Sequence, residues 1–288
     1  MKKTNRSKRS TSVLFWIVWN AARLLPLPVA ARLLSLIGRI FAGHLTRQQT
    51  IRENLAKAFP DMTPREVERT ARNIAANLGV VAAELCHIGE YRGGLANGRL
   101  TFTGGENLLL ARSGPVIFVG THQWNWEIAP LFYVENGIDI TLIYANFGNE
   151  LLDRTILAAR KKTGATYLER RNAVRTGMNI LTEGRSLAFL MDQRVKSGAE
   201  VSFFGRKSLM TSFPARLALR FRCPIVPIDM ERRDGHRFHM FFCQPIYPPA
   251  EAASGAEQQM TQAIATEFER TIRRSPETWF CNKRRWPD

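Results

Sequence analysis

Residues 116–127 read Val116-Ile117-Phe118-Val119-Gly120-Thr121-His122-Gln123-Trp124-Asn125-Trp126-Glu127. Four β-branched or aromatic residues form an uninterrupted apolar run that stops at a glycine, the pattern of a strand buried on both faces. Three further runs share it: Ile140–Tyr144, Leu187–Met191 and Ile225–Ile228. Helical stretches near 150–163, 172–184 and 211–222 lie between or beside them. Such alternation implies crossover units and an α/β fold, with a mostly parallel or mixed central sheet and flanking helices. Arg237–Phe242 alternates and reads as a later, antiparallel strand; Glu251–Ile272 reads as a closing amphipathic helix.

In such a sheet the carboxyl ends of the strands form the binding edge, and His122 stands there. Glu127 follows across a turn, expected in the first turn of the next helix with Asn125 as its cap. From that position a carboxylate can reach one imidazole nitrogen, fix the tautomer and leave the other nitrogen basic. An ordinary histidine titrates near ~6.5, so this neighbour poises it as a base around neutral pH. With no suitably placed Ser or Cys, the natural chemistry is direct deprotonation of a substrate hydroxyl. The competing reading is a histidine that merely caps a strand end. No GxSxG elbow, phosphate-cradling glycine loop or GxGxxG after a strand is present, and His236 and His239 make a poor metal pair.

Toward the N-terminus, residues 44–90 read helical, with Thr63-Pro64-Arg65-Glu66 as a capping sequence and apolar residues recurring at helical spacing from Ala71 to Leu85. The chain of 288 residues is 45% hydrophobic and 23% charged, too apolar for disorder and long enough for a large core. Four dispersed cysteines suit reduced thiols rather than a disulfide scaffold. The net charge is +16, of which residues 1–52 carry +10 without one acidic residue. Residues 154–237 carry a local +11. Both segments call for an anionic partner.

The N-terminus narrows that choice. A basic head (Lys2, Lys3, Arg6, Lys8, Arg9) precedes the apolar Val13-Leu14-Phe15-Trp16-Ile17-Val18-Trp19, and the longest uncharged stretch, Ser10–Ala22, is 13 residues. That is short of the ~20 that a spanning helix needs. Residues 1–43 therefore read as a basic N-terminus and helical membrane anchor that lies in or dips into one leaflet, on an anionic phospholipid surface rather than nucleic acid. Its arginines can snorkel to lipid phosphates. Residues 44–288 read as a single α/β domain.

His122-x4-Glu127, set in Gly-Thr-His-Gln-Trp-Asn-Trp-Glu, resembles the His-x4-Asp/Glu motif of lysophospholipid and lipid A acyltransferases. The particular likeness is to the late (lauroyl/myristoyl) acyltransferases of lipid A biosynthesis. It extends to Arg52-Glu53-Asn54-Leu55, Ala58-Phe59-Pro60, Leu168-Glu169-Arg170-Arg171, Asp192-Gln193, Phe203-Phe204-Gly205 and Arg284-Arg285-Trp286, in that order. The resemblance implies transfer of a fatty acyl chain from acyl carrier protein to a hydroxyl of a lipid A precursor, on the cytoplasmic face of a bacterial inner membrane, without cofactor or metal. His122 is then the general base and Glu127 its orienting partner. Arg160 falls where the family has an arginine near the site, and Asp192 and Gln193 open its Asp-Gln block. Arg170 and Arg171 become candidates for the acidic carrier or for acceptor phosphates. One departure concerns the acceptor: Tyr144-Ala145-Asn146 stands where the family often has Tyr-Arg-Pro.

Several readings stay open on the residues alone. Asp192-Gln193 can shape an acyl pocket or simply close a strand. Phe203-Phe204-Gly205 can line an acyl channel or form core and turn, and Trp124 and Trp126 can be pocket wall or packing. The acceptor can be another membrane glycolipid, such as a mannosylated phosphoinositide, or the chain can be a basic, membrane-tethered binding protein with no catalysis.

Overall fold

The computed structural model describes residues 2–42, 46–251 and 254–286, with the side chains of 2–12 and 46 left aside. The basic head of the N-terminus thus lies outside the described side chains, and the 43/44 boundary outside the described residues. Four helices come first: α1 Lys2–Leu24, α2 Leu27–Phe41, α3 Thr46–Ala58 and α4 Pro64–Cys86. The rest alternates as β1 Leu100–Thr103, α5 Gly105–Leu109, β2 Ile117–Gly120, α6 Ala129–Glu135, β3 Ile140–Tyr144, α7 Glu150–Lys161, β4 Thr166–Glu169, α8 Ala173–Thr182 and β5 Ser186–Leu190. A hairpin follows, β6 Ala199–Phe203 and β7 Arg206–Met210, then α9 Phe213–Phe221, β8 Ile225–Arg233, β9 Arg237–Phe242 and α10 Ala256–Arg274.

The central sheet has seven strands in the order β1-β9-β8-β2-β5-β3-β4. Every pairing in it is parallel except β8 with β9. Buried strand β2 sits in the middle, and its side chains alternate between two cores. Ile117 and Val119 pack with α3, α4, α8, α9 and α10; Phe118 packs on the other face with α6, α7 and the far end of α4. Helices thus cover both faces, as the continuous apolar run requires.

Local chemistry sets the element ends. Thr63 and Glu66 form a reciprocal capping box, with Pro64 at the first helical position of α4. The closing helix starts at Ala256 rather than near Glu251, with Gly255 before it in the left-handed region. The β6–β7 hairpin is not among the strands that the apolar runs indicate. Its two-residue loop, Phe204-Gly205, has φ of 54° and 69°, the left-handed pair that suits a tight hairpin turn. Phe204 tolerates this because its N–H donates to Glu269 Oε1 at 2.7 Å and its ring stacks on Trp279. Phe203 is fully buried against the same aromatic cluster. This segment is therefore core and turn, not the lining of an acyl channel.

The N-terminal segment packs on the protein. Among the described residues no helix is long and apolar enough to cross a membrane, which the short uncharged stretch already implies, and the expected N-terminal membrane anchor is not supported. α1 and α2 instead form a helical pair that buries Trp19, Ala22, Leu27, Ala30 and Ala31 and leaves Leu14, Ile17, Leu24, Leu36 and Ile40 exposed. α2 lies against α4 at a crossing close enough to need glycine on both sides. A Cβ on Gly79 would sit 2.1 Å from the Leu34 carbonyl oxygen, and one on Gly38 2.3 Å from that of Ala75.

Gly79→Ala should therefore force two backbones apart and lower stability by about 1–3 kcal/mol in denaturant unfolding. Gly114→Ala, where an added methyl meets nothing within 4 Å, serves as the comparison and should be near neutral.

Candidate functional site

The register of β2 with β5 builds the site. Gly120 pairs with Leu190, so residues two positions beyond each, His122 and Asp192, leave the sheet edge side by side. His122 Nδ1 lies 2.6 Å from Asp192 Oδ1. The second carboxylate oxygen accepts the indole N–H of Trp279 at 2.9 Å, and the Asp192 side chain is buried. Burial alone would raise this carboxyl, but the His122 ring and the Trp279 N–H hold it below its ordinary value. An ionised carboxylate only accepts, so the Nδ1 nitrogen carries the proton and Nε2 keeps its lone pair. Among the described residues Nε2 has no hydrogen-bond partner, and the side chain is 19% exposed. The ring is thus fixed at Nδ1, with Nε2 unpartnered and the side chain partly exposed.

Glu127 does something other than expected. Its carboxylate takes a two-pronged grip from Arg160, 2.8 Å from Nε to Oε2 and 2.7 Å from Nη2 to Oε1, and accepts the Trp126 indole N–H at 3.0 Å. The orienting carboxylate of His122 is therefore Asp192, not Glu127, whose charge reaches the ring only through space. The reason is topological: Asp192 comes from the adjacent strand, whereas α6 begins at Ala129, leaving Glu127 in the turn before it. Asn125 does not cap that helix. Its Oδ1 accepts the Glu127 N–H at 3.1 Å, a local turn, while its amide donates to Glu84 Oε2 at 2.9 Å. Arg160 also lies over the Tyr144 and Tyr167 rings, and Glu127 raises its already high proton affinity further.

Beneath the motif loop is a second buried cluster. Fully buried Glu84 of α4 accepts from Arg232 at 2.7 and 2.8 Å and from the His236 ring at 2.8 Å. Arg232 also donates to Asn77, which donates in turn to the carbonyl of Trp124. Trp124 has a φ of 48°, a left-handed conformation for a bulky residue, held in place by this anchor. A lone glutamate within the apolar row Val80-Val81-Ala82-Ala83-Glu84-Leu85 is the sequence signal for this cluster. Trp279 carried none, because its role exists only after the tail has folded back.

That tail closes the site. Asn54 of α3 donates to the carbonyls of Cys281 and Lys283 and accepts the Arg285 N–H. Phe280 donates its N–H to the His122 carbonyl at 2.8 Å and stacks on Trp126, whose ring meets His122 edge-on. Gln193 is half-buried just past Asp192. Arg170 lies near Lys283, where burial and the charges of Arg170 and Arg47 push the ammonium below its ordinary value. Arg171 is exposed and paired with Glu169 at 2.7 Å, away from the His122–Asp192 pair's hydrogen bonds. Among the described residues no group of three or more His, Cys, Asp or Glu could hold a metal ion.

The family model described as bacterial lipid A biosynthesis acyltransferase matches residues 1–287. A phosphatidylinositol mannoside acyltransferase of Mycobacterium tuberculosis is 26% identical over 297 residues, 93% of this chain and 86% of that protein. Its counterpart in Mycolicibacterium smegmatis is 26% identical over 171 residues, 57% of this chain and about half (54%) of that protein's length.

Both site carboxylates make acid a sensitive test. Burial would raise Glu127, but Arg160 overrides it, so Glu127 and Asp192 both sit below the usual range in the folded state. Their contribution is complete above the unfolded values of ~3.9–4.3 and is lost as pH falls through the folded ones. The melting temperature should hold down to about pH 5 and fall steeply below about pH 4. Glu127→Gln should start lower at neutral pH, because an unpartnered buried Arg160 costs about 3–5 kcal/mol, and should show a flatter acid limb.

Proposed function

Because the chain belongs to the bacterial lipid A biosynthesis acyltransferase family, we propose that it is a membrane-associated O-acyltransferase that moves a fatty acyl chain from acyl carrier protein to a hydroxyl of a lipid A precursor. The observation that carries this reading is the His122 ring, held at Nδ1 by Asp192, with Nε2 unpartnered among the described residues and the side chain partly exposed. Nε2 takes the proton of the acceptor hydroxyl as its oxygen attacks the thioester carbonyl. Asp192 stabilises the imidazolium that forms, without taking the proton itself. Collapse of the tetrahedral intermediate breaks the carbon–sulfur bond, and the imidazolium returns its proton to the departing thiolate. Glu127 and Arg160 hold the motif loop as a neutral pair, and Arg170, Arg47 and Lys283 offer positive charge to the acidic carrier or to an acceptor phosphate.

The exposed apolar residues of α1 and α2 favour a protein that lies at the headgroup level of a bilayer, where its acceptor resides. A second acceptor class has its own support. The relatives are phosphatidylinositol mannoside acyltransferases, and Ala145-Asn146 follows Tyr144 where the lipid A enzymes often carry Arg-Pro. A mannosylated phosphoinositide is the acceptor under that reading, with the same chemistry at His122.

Mass spectrometry of the host's glycolipids, with the gene intact, deleted, or encoding His122→Ala, tests the proposal. One acyl chain should disappear from lipid A in the last two strains. Loss from a mannosylated lipid instead selects the second reading, and unchanged glycolipids in all three reject both. In purified enzyme, His122→Ala should lower kcat by about 10²–10⁴-fold. Asp192→Asn, which favours the wrong tautomer, should lower kcat by up to about 10⁴-fold with KM little changed.

A further inference from the structure

A cavity of about 220 Å³ lies on the side of α7 turned toward α1, lined by Trp16, Trp19, Asn20 and Arg23 of α1 and by Thr155 and Lys162 at α7, with Cys86 of α4 behind them. Trp16, Trp19, Asn20 and Arg23 recur at helical spacing and so share one face of α1. Both cations line the cavity and lie close enough to act on Cys86. Burial pushes the Cys86 thiol up to about 12, and Arg23 and Lys162 both pull against that rise. Neither cationic side chain has a carboxylate or hydrogen-bonding partner among the described residues. Two unpartnered positive charges, one from α1 and one from the end of α7, therefore line one tryptophan-walled hollow.

Size and surroundings choose the ligand. Pockets for drug-sized molecules run to ~300–1,000 Å³, so this one suits a smaller group such as a phosphate with its glycerol. Beside the cavity-lining row, Val13, Ile17 and Leu24 form a second row of α1 at helical spacing, all of them exposed. Trp16 belongs to both settings: it lines the cavity and is 50% exposed. A ligand whose anionic head enters the cavity would lay its tails along that apolar row.

We propose that this cavity is a binding site for one anionic phospholipid, its phosphate between Arg23 and Lys162 and its acyl chains along α1. The site is separate from the His122–Asp192 pair, and it rests on the surface-lying reading of α1 and α2 but not on acyl transfer.

Calorimetric titration of the full chain with dihexanoyl phosphatidylglycerol, kept below its micelle concentration, tests it. Saturable binding of one lipid per chain is expected, weaker by about tenfold or more in the double variant Arg23→Gln/Lys162→Gln. The double variant Arg32→Gln/Arg39→Gln, which removes the same charge from α2, should bind within about twofold of the wild type. Non-saturable uptake, or equal loss in the two double variants, overturns the proposal in favour of general electrostatics. Inorganic phosphate binding as tightly as the lipid overturns the lipid assignment. Turnover of detergent-dispersed acceptor should be unchanged in Arg23→Gln/Lys162→Gln, so loss of turnover in His122→Ala alone reports on the acyltransferase reading separately.

Discussion

A hydrogen bond of 2.6 Å between an imidazole and a buried carboxylate organises this molecule. It exists because two adjacent parallel strands end in register, each followed by two residues that turn off the sheet edge. Moving either strand by one residue would send the histidine or the aspartate to the opposite face. The fully buried core residues of β2 serve that requirement as much as they serve stability, since they lock the strand against its neighbours on both faces. The imidazole gains a fixed tautomer, and the carboxylate, taken out of water, stays charged because two donors meet its two oxygens.

Two other buried ion pairs, Glu127 with Arg160 and Glu84 with Arg232, frame the motif loop from opposite sides. Buried pairs add little net stability, because desolvation offsets most of their attraction. Their value here is directional. Arg160 ties the loop to α7, and Arg232 with Asn77 ties it to β8 and α4 while restraining Trp124 in its left-handed conformation. A hydrophobic filling of the same volume would leave the loop free to choose among conformations; forked guanidinium–carboxylate contacts specify one.

The sequence made the sheet legible where apolar runs were continuous and lengths were ordinary: β2, β3, β5 and β8 stand where the runs stand. Strands β1, β4, β6 and β7 escaped because they are short and carry charge or alternate, so pairing partners rather than local pattern make them strands. The histidine was legible from its position after a strand. Its partner was not, because a separation of 70 residues closes only through strand register, whereas Glu127 looked right by proximity along the chain. Arg160 and Asp192 entered through family likeness, and the geometry gives each a neighbour that no spacing could indicate. For the N-terminal pair, composition indicated apolar helices but not the glycine crossing with α4 that sets one side of them into the protein.

The folded-back tail gives the molecule a clock. Trp279 is the donor to the second oxygen of Asp192, and Phe280 reaches the backbone of His122, yet both are made more than 150 residues after the histidine. A ribosome that has released the whole sheet has still not delivered them. Until they emerge and Asn54 captures the segment behind them, the second oxygen of Asp192 lacks its donor and Trp126 lacks the ring that stacks on it. A nascent chain is in this way kept without a complete His122–Asp192 pair until the tail has been made and docked.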